Sequence, residues 1–307
     1  MIEIYFKNIK SEKLKEIKEV RNGCWINIKN AQAEDLKYVS QLTGLEMNDL
    51  EESLDPYELP RIERNEDNVI VFVRSPQQEE KEDIYTSPLT LIANSKYFFT
   101  ISYSQNAIIE AIIKKGVDFS TTQRSKFLIY VLLLISKSFT KKIKNIKSKV
   151  FHQKKSLENV ESLDIIDLIK NEEILNQYIS ALVPMKNVFE AIASGGYIHL
   201  FSDDADLLED MIISIKQSTD ICTVDVKSIK SLRESYQIIF TNRLNKTIRL
   251  LTSFTVVLTV PMIITSIYGM NISLPLEDNP LAFSYILIFT FLASLFFLLL
   301  FYVKKWL

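Results

Sequence analysis

The sequence predicts an α/β cytosolic domain, followed by long stalk helices and a C-terminal hairpin of two transmembrane helices. Three observations predict this fold class. Two apolar runs, residues 250–268 and 281–303, are each long enough to cross a bilayer core. Between Asp204 and Tyr268 the chain contains no glycine and one proline, which predicts one very long helix. β-Branched apolar runs of strand length occur in the first 124 residues.

Residues 1–124 predict the mixed α/β domain, because short apolar runs alternate there with helical patterns. Asn94-Ser95-Lys96 is a plausible hairpin turn between the last two strands. The polar, acidic segment 76–83 predicts an exposed loop. The predicted strands are residues 24–28, 69–73, 89–93 and 97–102, and the predicted helices are residues 33–42, 47–54 and 108–115.

Residues 125–201 predict long cytosolic helices. Residues 127–135 are nine consecutive apolar residues, too few for a span, which favours a buried helix over a re-entrant segment. The helix continues into the basic run 137–155, for which a solvated face is favoured over a lipid-headgroup or nucleic-acid site. A second helix covers residues 157–193, with a kink or break expected at Pro184 and an end at Gly195-Gly196.

Residues 202–249 predict a stalk helix that continues into the first span without interruption. Ser202-Asp203-Asp204 is a helix-start pattern, and the helix from there to Tyr268 would be about 95 Å long. A helix of that length cannot be buried by one small domain. It must pack on copies of itself or on the other long helices, which predicts a homo-oligomer.

Residues 250–307 predict the transmembrane hairpin, with a linker at residues 272–281. The second span contains no charge and no polar face, which disfavours a buried hairpin in a soluble protein. Cationic residues flank the spans on one side only, whereas the linker carries acidic residues and no cation. The positive-inside rule therefore places both termini in the cytoplasm, for a multi-pass protein of the cell (inner) membrane. The cations are Arg243, Lys246, Arg249, Lys304 and Lys305, and the acidic residues are Glu277 and Asp278.

One stripe of mainly polar residues follows the end of the stalk and the first span at intervals of three and four. In an oligomer this face would point at the symmetry axis and line a pore. The alternative is that the hydroxyl groups merely bond to backbone carbonyls one turn earlier; the length of the stripe favours the pore. The stripe consists of Asn245, Ile248, Thr252, Thr255, Thr259, Met262 and Ser266.

Tyr268-Gly269-Met270-Asn271 at the outer end of the first span, the short acidic linker and the Lys304-Lys305-Trp306-Leu307 tail resemble the CorA family of divalent-cation transporters. The resemblance covers the whole chain and implies a funnel-shaped homopentamer. It implies a selectivity filter at Gly269, Met270 and Asn271, with Gly269 letting the backbone turn sharply. It also implies a hydrophobic gate at Ile248 and Leu251.

The resemblance further implies a regulatory metal site between neighbouring subunits. Matching Leu50-Glu51-Glu52 and the downstream Leu59-Pro60-Arg61-Ile62-Glu63 to the family pattern, and counting back along the stalk from Asn271, places Glu52 and Asp210 at that site. Two close carboxylates repel each other unless a cation bridges them, so falling magnesium would loosen the ring and open the gate. Ordinary solvated charges are the alternative.

The function that follows is passive uptake of Mg²⁺, driven by the membrane potential and gated by the cytosolic divalent cation. Mg²⁺ gives up its water reluctantly, so an amide ring at Asn271 would accept hydrogen bonds from the intact hydrate. Glu277 and Asp278 would concentrate cations at the outer mouth. No ATP-binding loop occurs in the sequence, and no organic cofactor is expected.

Other functions remain as alternatives. A cobalt, nickel or zinc transporter of the same family is one, although the hairpin has no Cys or His ligand for a soft metal. A membrane-anchored coiled-coil scaffold that moves no ion is another. An enzyme is the weakest, since neither paired catalytic carboxylates nor a nucleophile motif is present. A net charge of −2 argues against a nucleic-acid partner.

Overall fold

The structure of the chain, a computed structural model, divides into two compact units, Met1–Leu232 and Arg233–Leu307. It describes residues 1–307 except Lys10, Glu12, 82–83, 156–161, Ser273, 276–278 and Leu307, and it does not describe the side chains of 78–81, 153–155 and 162–163. The predicted outer-mouth residues Glu277 and Asp278 lie outside the described residues. Their role stays a prediction.

A seven-stranded sheet of order β2-β1-β3-β7-β6-β5-β4 forms the centre of the first unit. Only β3 and β7 pair in parallel among these strands, and the other neighbours are antiparallel. The sequence predicted the apolar strands β3, β5, β6 and β7 but not the three outer strands. The strands are β1 (Ile2–Phe6), β2 (Lys15–Glu16), β3 (Trp25–Ile28), β4 (Arg61–Asn65), β5 (Asn68–Lys81), β6 (Ile84–Ala93) and β7 (Phe98–Ser102).

The predicted loop at residues 76–83 was wrong, because β5 continues through most of this segment. Pro76 pairs with Thr86 and Lys81 with Ile84 in the antiparallel ladder with β6. The polar residues that precede the segment are buried rather than exposed: Arg74 donates hydrogen bonds to the carbonyl groups of Pro56, Glu58 and Thr86. Polar composition alone cannot distinguish a strand whose backbone is paired with a neighbouring strand from a solvated loop.

Seven α-helices and a short 3-10 turn, Glu52–Leu54, complete the described part of the chain. The predicted helix at 47–54 is a short helix followed by that turn. Pro184 lies inside a helix that continues on both sides, so it does not break the helix. That helix ends at Ala193, and Gly195, two residues later, has a φ of 77°. The helices are α1 (Ala33–Thr43), α2 (Met47–Glu51), α3 (Ala107–Lys115), α4 (Arg124–Lys155), α5 (Ser162–Ala193), α6 (Ser202–Tyr268) and α7 (Ala282–Val303).

Both faces of the sheet are covered. On one face, Ile26 and Phe99 belong to a buried cluster with Leu36 of α1 and Leu50 of α2. On the other face, the Trp25 and Phe98 rings contact Phe127 of α4, with ring centroids 4.9 and 4.6 Å apart. The apolar run 127–135 is therefore a buried helix, as predicted, with each buried Leu, Ile or Phe side chain contributing roughly 1.5–3 kcal/mol.

The long helices of the first unit pack through side-chain contacts between α4, α5 and α6. Phe139 of α4 meets Tyr178 of α5 edge to face, with ring centroids 5.1 Å apart. Thr140 and Ser218 share a 3.1 Å hydrogen bond between α4 and α6. These contacts hold the first part of α6 against the domain.

In the second unit, the end of α6 and all of α7 are long and apolar enough to cross a membrane. Most of their apolar side chains are exposed in the single chain, whereas Ser253 and Phe301 are buried. The Phe301 ring stacks on Trp306 with centroids 5.5 Å apart. The exposed apolar surface is what lipid or further copies of the chain would cover.

Candidate ion-conduction and regulatory sites

All the predicted pore-lining residues lie on the single helix α6, and their side chains are exposed in the chain by itself. No helix break separates them, so their spacing of three and four residues keeps them on one helix face. The residues are Asn245, Thr252, Thr255, Thr259, Met262 and Ser266. The predicted gate residues Ile248 and Leu251 lie on the same helix and are also exposed.

The threonine hydroxyls of the stripe bond to the backbone of their own helix. Thr252, Thr255 and Thr259 donate to carbonyl oxygens one turn earlier, at 2.8, 2.9 and 2.7 Å. This bonding does not compete with pore lining. A hydroxyl that donates its only hydrogen along the helix presents lone pairs outward, and lone pairs attract a cation or the hydrogens of its water shell. These three threonines therefore present acceptor oxygens on the stripe.

The predicted filter segment, Gly269 to Asn271, directly follows the end of α6 at Tyr268. The Gly269 N–H donates to the Thr265 carbonyl at 3.0 Å, and the Met270 N–H donates to the Ile267 carbonyl at 3.2 Å. Helical hydrogen bonding thus continues into the Gly-Met-Asn segment. Asn271 itself is exposed, which leaves its amide accessible.

The chain does turn at Gly269, which directly follows α6, but this turn does not use the conformational freedom of glycine. Its φ is not in the left-handed region, unlike that of Gly195 or Gly116. A Cβ at Gly269 would lie 3.3 Å from the Thr265 carbonyl oxygen, a contact that a few tenths of an ångström would relieve. Within one chain the backbone does not require glycine here.

A groove runs between the ends of α6 and α7, with a volume of about 520 Å³. Its lining is mostly apolar and includes Pro261, Gly269 and Phe291. Ser294 also lines it, and its hydroxyl has no hydrogen-bond partner in the described part of the chain. The groove includes Gly269 of the predicted filter segment, and its lining residues on α6, Pro261, Thr265 and Tyr268, are not members of the stripe.

Glu52 and Asp210, the predicted regulatory pair, are both exposed but are not bonded to each other within one chain. Glu52 begins the 3-10 turn after α2, and Asp210 lies in the third turn of α6. Among the described residues no group of three or more acidic, His or Cys side chains could hold a metal ion. A Mg²⁺ site at these carboxylates would therefore need a second copy of the chain or water to complete its coordination.

Glu52 instead forms an ion pair with Arg61, a contact that the sequence reasoning missed. Arg61 also pairs with Glu58 and Glu63. Burial disfavours the charged guanidinium, but the hydrogen bond to Glu63 and the fields of the three carboxylates outweigh it, so the pKa of Arg61 is raised. The sequence does contain a signal for this cluster, because glutamates lie nine, three and two residues from Arg61. The sequence analysis used that segment only to place Glu52.

These features define a protein with a mixed-sheet domain, a continuous long helix and a C-terminal apolar helix pair. Residues 21–305 match the model of the CorA family, described as CorA-like Mg²⁺ transporter proteins. The match covers most of the chain, and the chain belongs to this family. It is thus an ion transporter of a membrane rather than an enzyme, as the sequence indicated.

Individual relatives agree with this assignment. The chain is 24% identical over 273 residues to the cobalt/magnesium transport protein CorA of Methanocaldococcus jannaschii, covering 84% of this chain and 83% of that protein. The complete structure of that organism's CorA magnesium transporter superposes with a TM-score of 0.81 at 21% identity, covering 100% and 99% of the two chains. Full-length CmaX superposes with a TM-score of 0.74 at 16% identity, covering 99% and 97%. The shared fold runs from end to end.

Proposed function

We propose that the chain assembles as a funnel-shaped homopentamer and forms a passive Mg²⁺ channel. The observation that supports this most directly is the stripe of exposed hydroxyl and amide groups on α6, which leads to the exposed Asn271. A scaffold that moves no ion gives no reason for an acceptor surface along a membrane-spanning helix. Two helices in one chain cannot enclose a path, so the stripes of several copies must face a common axis.

Selection of Mg²⁺ would take place at a ring of Asn271 side chains. Mg²⁺ exchanges its water slowly, and tight coordination by carboxylates would hold it too long for conduction. Amide oxygens accept hydrogen bonds from the water shell and leave the hydrate intact. Gly269 and Met270 complete the filter, and the absence of a Cβ at Gly269 keeps space near the axis.

The membrane potential would supply the driving force. A divalent cation gains about 4.6 kcal/mol per 100 mV of inside-negative potential, twice the gain of a single charge. With both termini cytoplasmic in the inner membrane, Glu277 and Asp278 would concentrate cations outside and Ile248 and Leu251 would close the inner end of the pore.

Regulation would act through Glu52 and Asp210 of neighbouring copies. Carboxylate oxygens are the ligands that Mg²⁺ prefers, and both side chains are exposed, although Glu52 is ion-paired with Arg61 in the single chain. Cytosolic Mg²⁺ bridging the two would hold the closed ring together, and its loss would leave two repelling charges. The ion would then limit its own uptake.

The test is ion uptake into proteoliposomes that contain a fluorescent indicator, under an inside-negative potential. Asn271→Ala should reduce Mg²⁺ uptake at least about tenfold or abolish the preference for Mg²⁺, as expected when an aligned ring of polar ligands is lost. Ile272→Ala, one residue further along and also exposed, is the matched control and should conduct. A parallel Co²⁺ arm addresses the cobalt named for the Methanocaldococcus relative.

Two results would overturn the proposal. One is a wild type that passes no divalent cation at any potential or internal Mg²⁺ concentration, which would favour the scaffold. The other is equal conduction by Asn271→Ala and Ile272→Ala, which would remove Asn271 from the filter.

A further inference from the structure

Arg61 is the first residue of β4, and each nitrogen of its guanidinium contacts a different glutamate. Nε lies 2.5 Å from Glu63, while Nη1 and Nη2 bond to Glu58 and Glu52. The guanidinium also lies over the ring of Phe72, with its central carbon 3.9 Å from the ring centroid. Phe72 is the cross-strand partner of Arg61 in the β4–β5 ladder, so the sheet itself fixes the position of this cation.

The three glutamates differ in how firmly they are held. The Glu58 side chain is 13% exposed and accepts a hydrogen bond from the Leu59 N–H, and its backbone carbonyl accepts one from the buried Arg74. The Glu52 side chain is 49% exposed and contacts no donor other than Arg61 in the described part of the chain. The Glu63 side chain is 42% exposed, but Glu63 lies two residues from Arg61 on the same strand, which keeps it beside the guanidinium. Glu52 is the most exposed of the three and is not on that strand, so it is the carboxylate most easily released from Arg61.

We propose that Arg61 is a built-in competitor of the regulatory divalent cation at Glu52. At low cation concentration the guanidinium neutralises Glu52. A divalent cation that binds Glu52 must displace the guanidinium or bind beside it, and either step opposes binding through lost ion pairing or through repulsion between cations. Arg61 keeps Glu58 and Glu63 as partners in the cation-bound state. This inference rests on the proposed regulatory role of Glu52.

The consequence is a set point for regulation. One guanidinium among three carboxylates leaves two negative charges in excess, which attract a cation, while the guanidinium lowers the affinity of the exposed member. Removing the charge of Arg61 should tighten divalent binding, whereas removing a charge of the same sign nearby should not. Arg64 provides that control, because it lies on the same strand and its guanidinium donates to the Gly196 carbonyl at 2.9 Å.

The experiment measures protection of the full-length protein in detergent from limited proteolysis, as a function of Mg²⁺ at constant ionic strength. Arg61→Gln should lower the half-protecting Mg²⁺ concentration roughly threefold to tenfold, the range expected for losing a partly buried charge contact. Arg61→Met, which keeps an unbranched stem over Phe72, should shift it the same way and serves if Arg61→Gln does not fold. Arg61→Lys retains the charge and should stay within about twofold of the wild type, as should Arg64→Gln.

A Glu52→Gln variant separates this inference from the proposed function. If Glu52→Gln loses protection and the neutral Arg61 variants bind more tightly, both stand. If Glu52→Gln loses protection but the neutral Arg61 variants match Arg64→Gln or need more Mg²⁺, the competitor role is overturned and the regulatory role survives. If Glu52→Gln is protected like the wild type, regulation does not pass through Glu52 and both are overturned.

Discussion

At the scale of single residues, Asp225 is the least favourably placed charge among the described side chains of α6. It is buried, and its Oδ2 atom has no hydrogen-bond partner in the described part of the chain. Burial raises the pKa of Asp225, and the positive charge of Lys147 only partly opposes the shift. A buried carboxylate without full hydrogen bonding reduces the free energy of unfolding.

The Asp225→Asn variant should therefore be more stable than the wild type at pH 7. Because the folded-state pKa is raised, the folded chain takes up a proton more readily than the unfolded chain, and the penalty is present above the folded-state pKa. It disappears as the pH falls through that pKa to the ordinary Asp value near 3.9. We expect a gain of about 1 kcal/mol, or roughly 2–4 °C in Tm, at pH 7 and little difference at low pH.

Thermal unfolding of the full chain in detergent at several pH values measures this difference. Asp220→Asn is the matched control, since Asp220 is exposed on the same helix. A destabilised Asp225→Asn would mean that the carboxylate makes a contact that the folded state needs.

At the scale of elements, two threonines of α6 form a matched pair for testing the predicted pore. Thr255 and Thr265 both donate to carbonyl oxygens one turn earlier, at 2.9 and 3.0 Å. Only Thr255 belongs to the stripe, whereas Thr265 lines the groove between α6 and α7. Replacement by valine removes the same helix contact from both and keeps the branched shape.

The pore interpretation predicts that Thr255→Val lowers Mg²⁺ conductance several-fold and that Thr265→Val does not. The Thr255→Val substitution exchanges a hydroxyl acceptor on the proposed ion path for a methyl group. Every copy in the oligomer would carry the change, so the effect would be multiplied. Uptake by proteoliposomes or current across a planar bilayer measures both variants. Equal losses would show that the helix contact, and not the pore surface, is what matters.

The elements that the sequence predicted correctly are those with a strong periodic or uninterrupted signal. α6 ends at Tyr268 as expected, because the segment before it contains no glycine. The apolar strands β3, β6 and β7 were also evident. β4 was missed because its sequence, Arg-Ile-Glu-Arg-Asn, is that of a charged edge strand, and β2 because two residues carry no pattern.

The candidate sites were predictable only in part. The stripe follows from spacing along one helix, whereas the filter role of Gly269, Met270 and Asn271 is implied only by the resemblance to the CorA family and stays a prediction. The Arg61 cluster does not follow from spacing, because its partners lie nine, three and two residues away and meet only when β4 pairs with β5 and the 3-10 turn folds over it. Spacing along the sequence could suggest a group of acidic residues here, but it could not show that the Arg61 side chain pairs with all three of them.

At the scale of the whole molecule, the single chain leaves two observations that a second copy would explain. Large apolar side chains of α6, including Ile213, Val224 and Ile238, are exposed in the single chain. Glu52 and Asp210 are exposed and not bonded to each other, although their proposed function needs both. Packing of copies around one axis would cover the apolar side chains of α6 and bring Glu52 of one copy to Asp210 of the next. A single interface would therefore account for both observations.

A cross-linking experiment tests this arrangement. A double Glu52→Cys, Asp210→Cys variant treated with a short bismaleimide should give a ladder of bands that ends at five chains. A bismaleimide is preferred to a disulfide because carboxylates bridged by an ion through water leave the Cα atoms beyond disulfide reach. Cys24 and Cys222 are fully buried, so the native cysteines should add little background.

Each single-cysteine variant is the control and should give no ladder beyond a dimer. A highest band of a different chain number would correct the pentamer while keeping the interface. If cross-links form only within single chains, Glu52 and Asp210 of the same copy lie close together. The proposal of a regulatory site between neighbouring copies would then be wrong. Mg²⁺ should change the rate of cross-linking if the ion orders the two side chains, which connects the assembly to the regulation proposed for it.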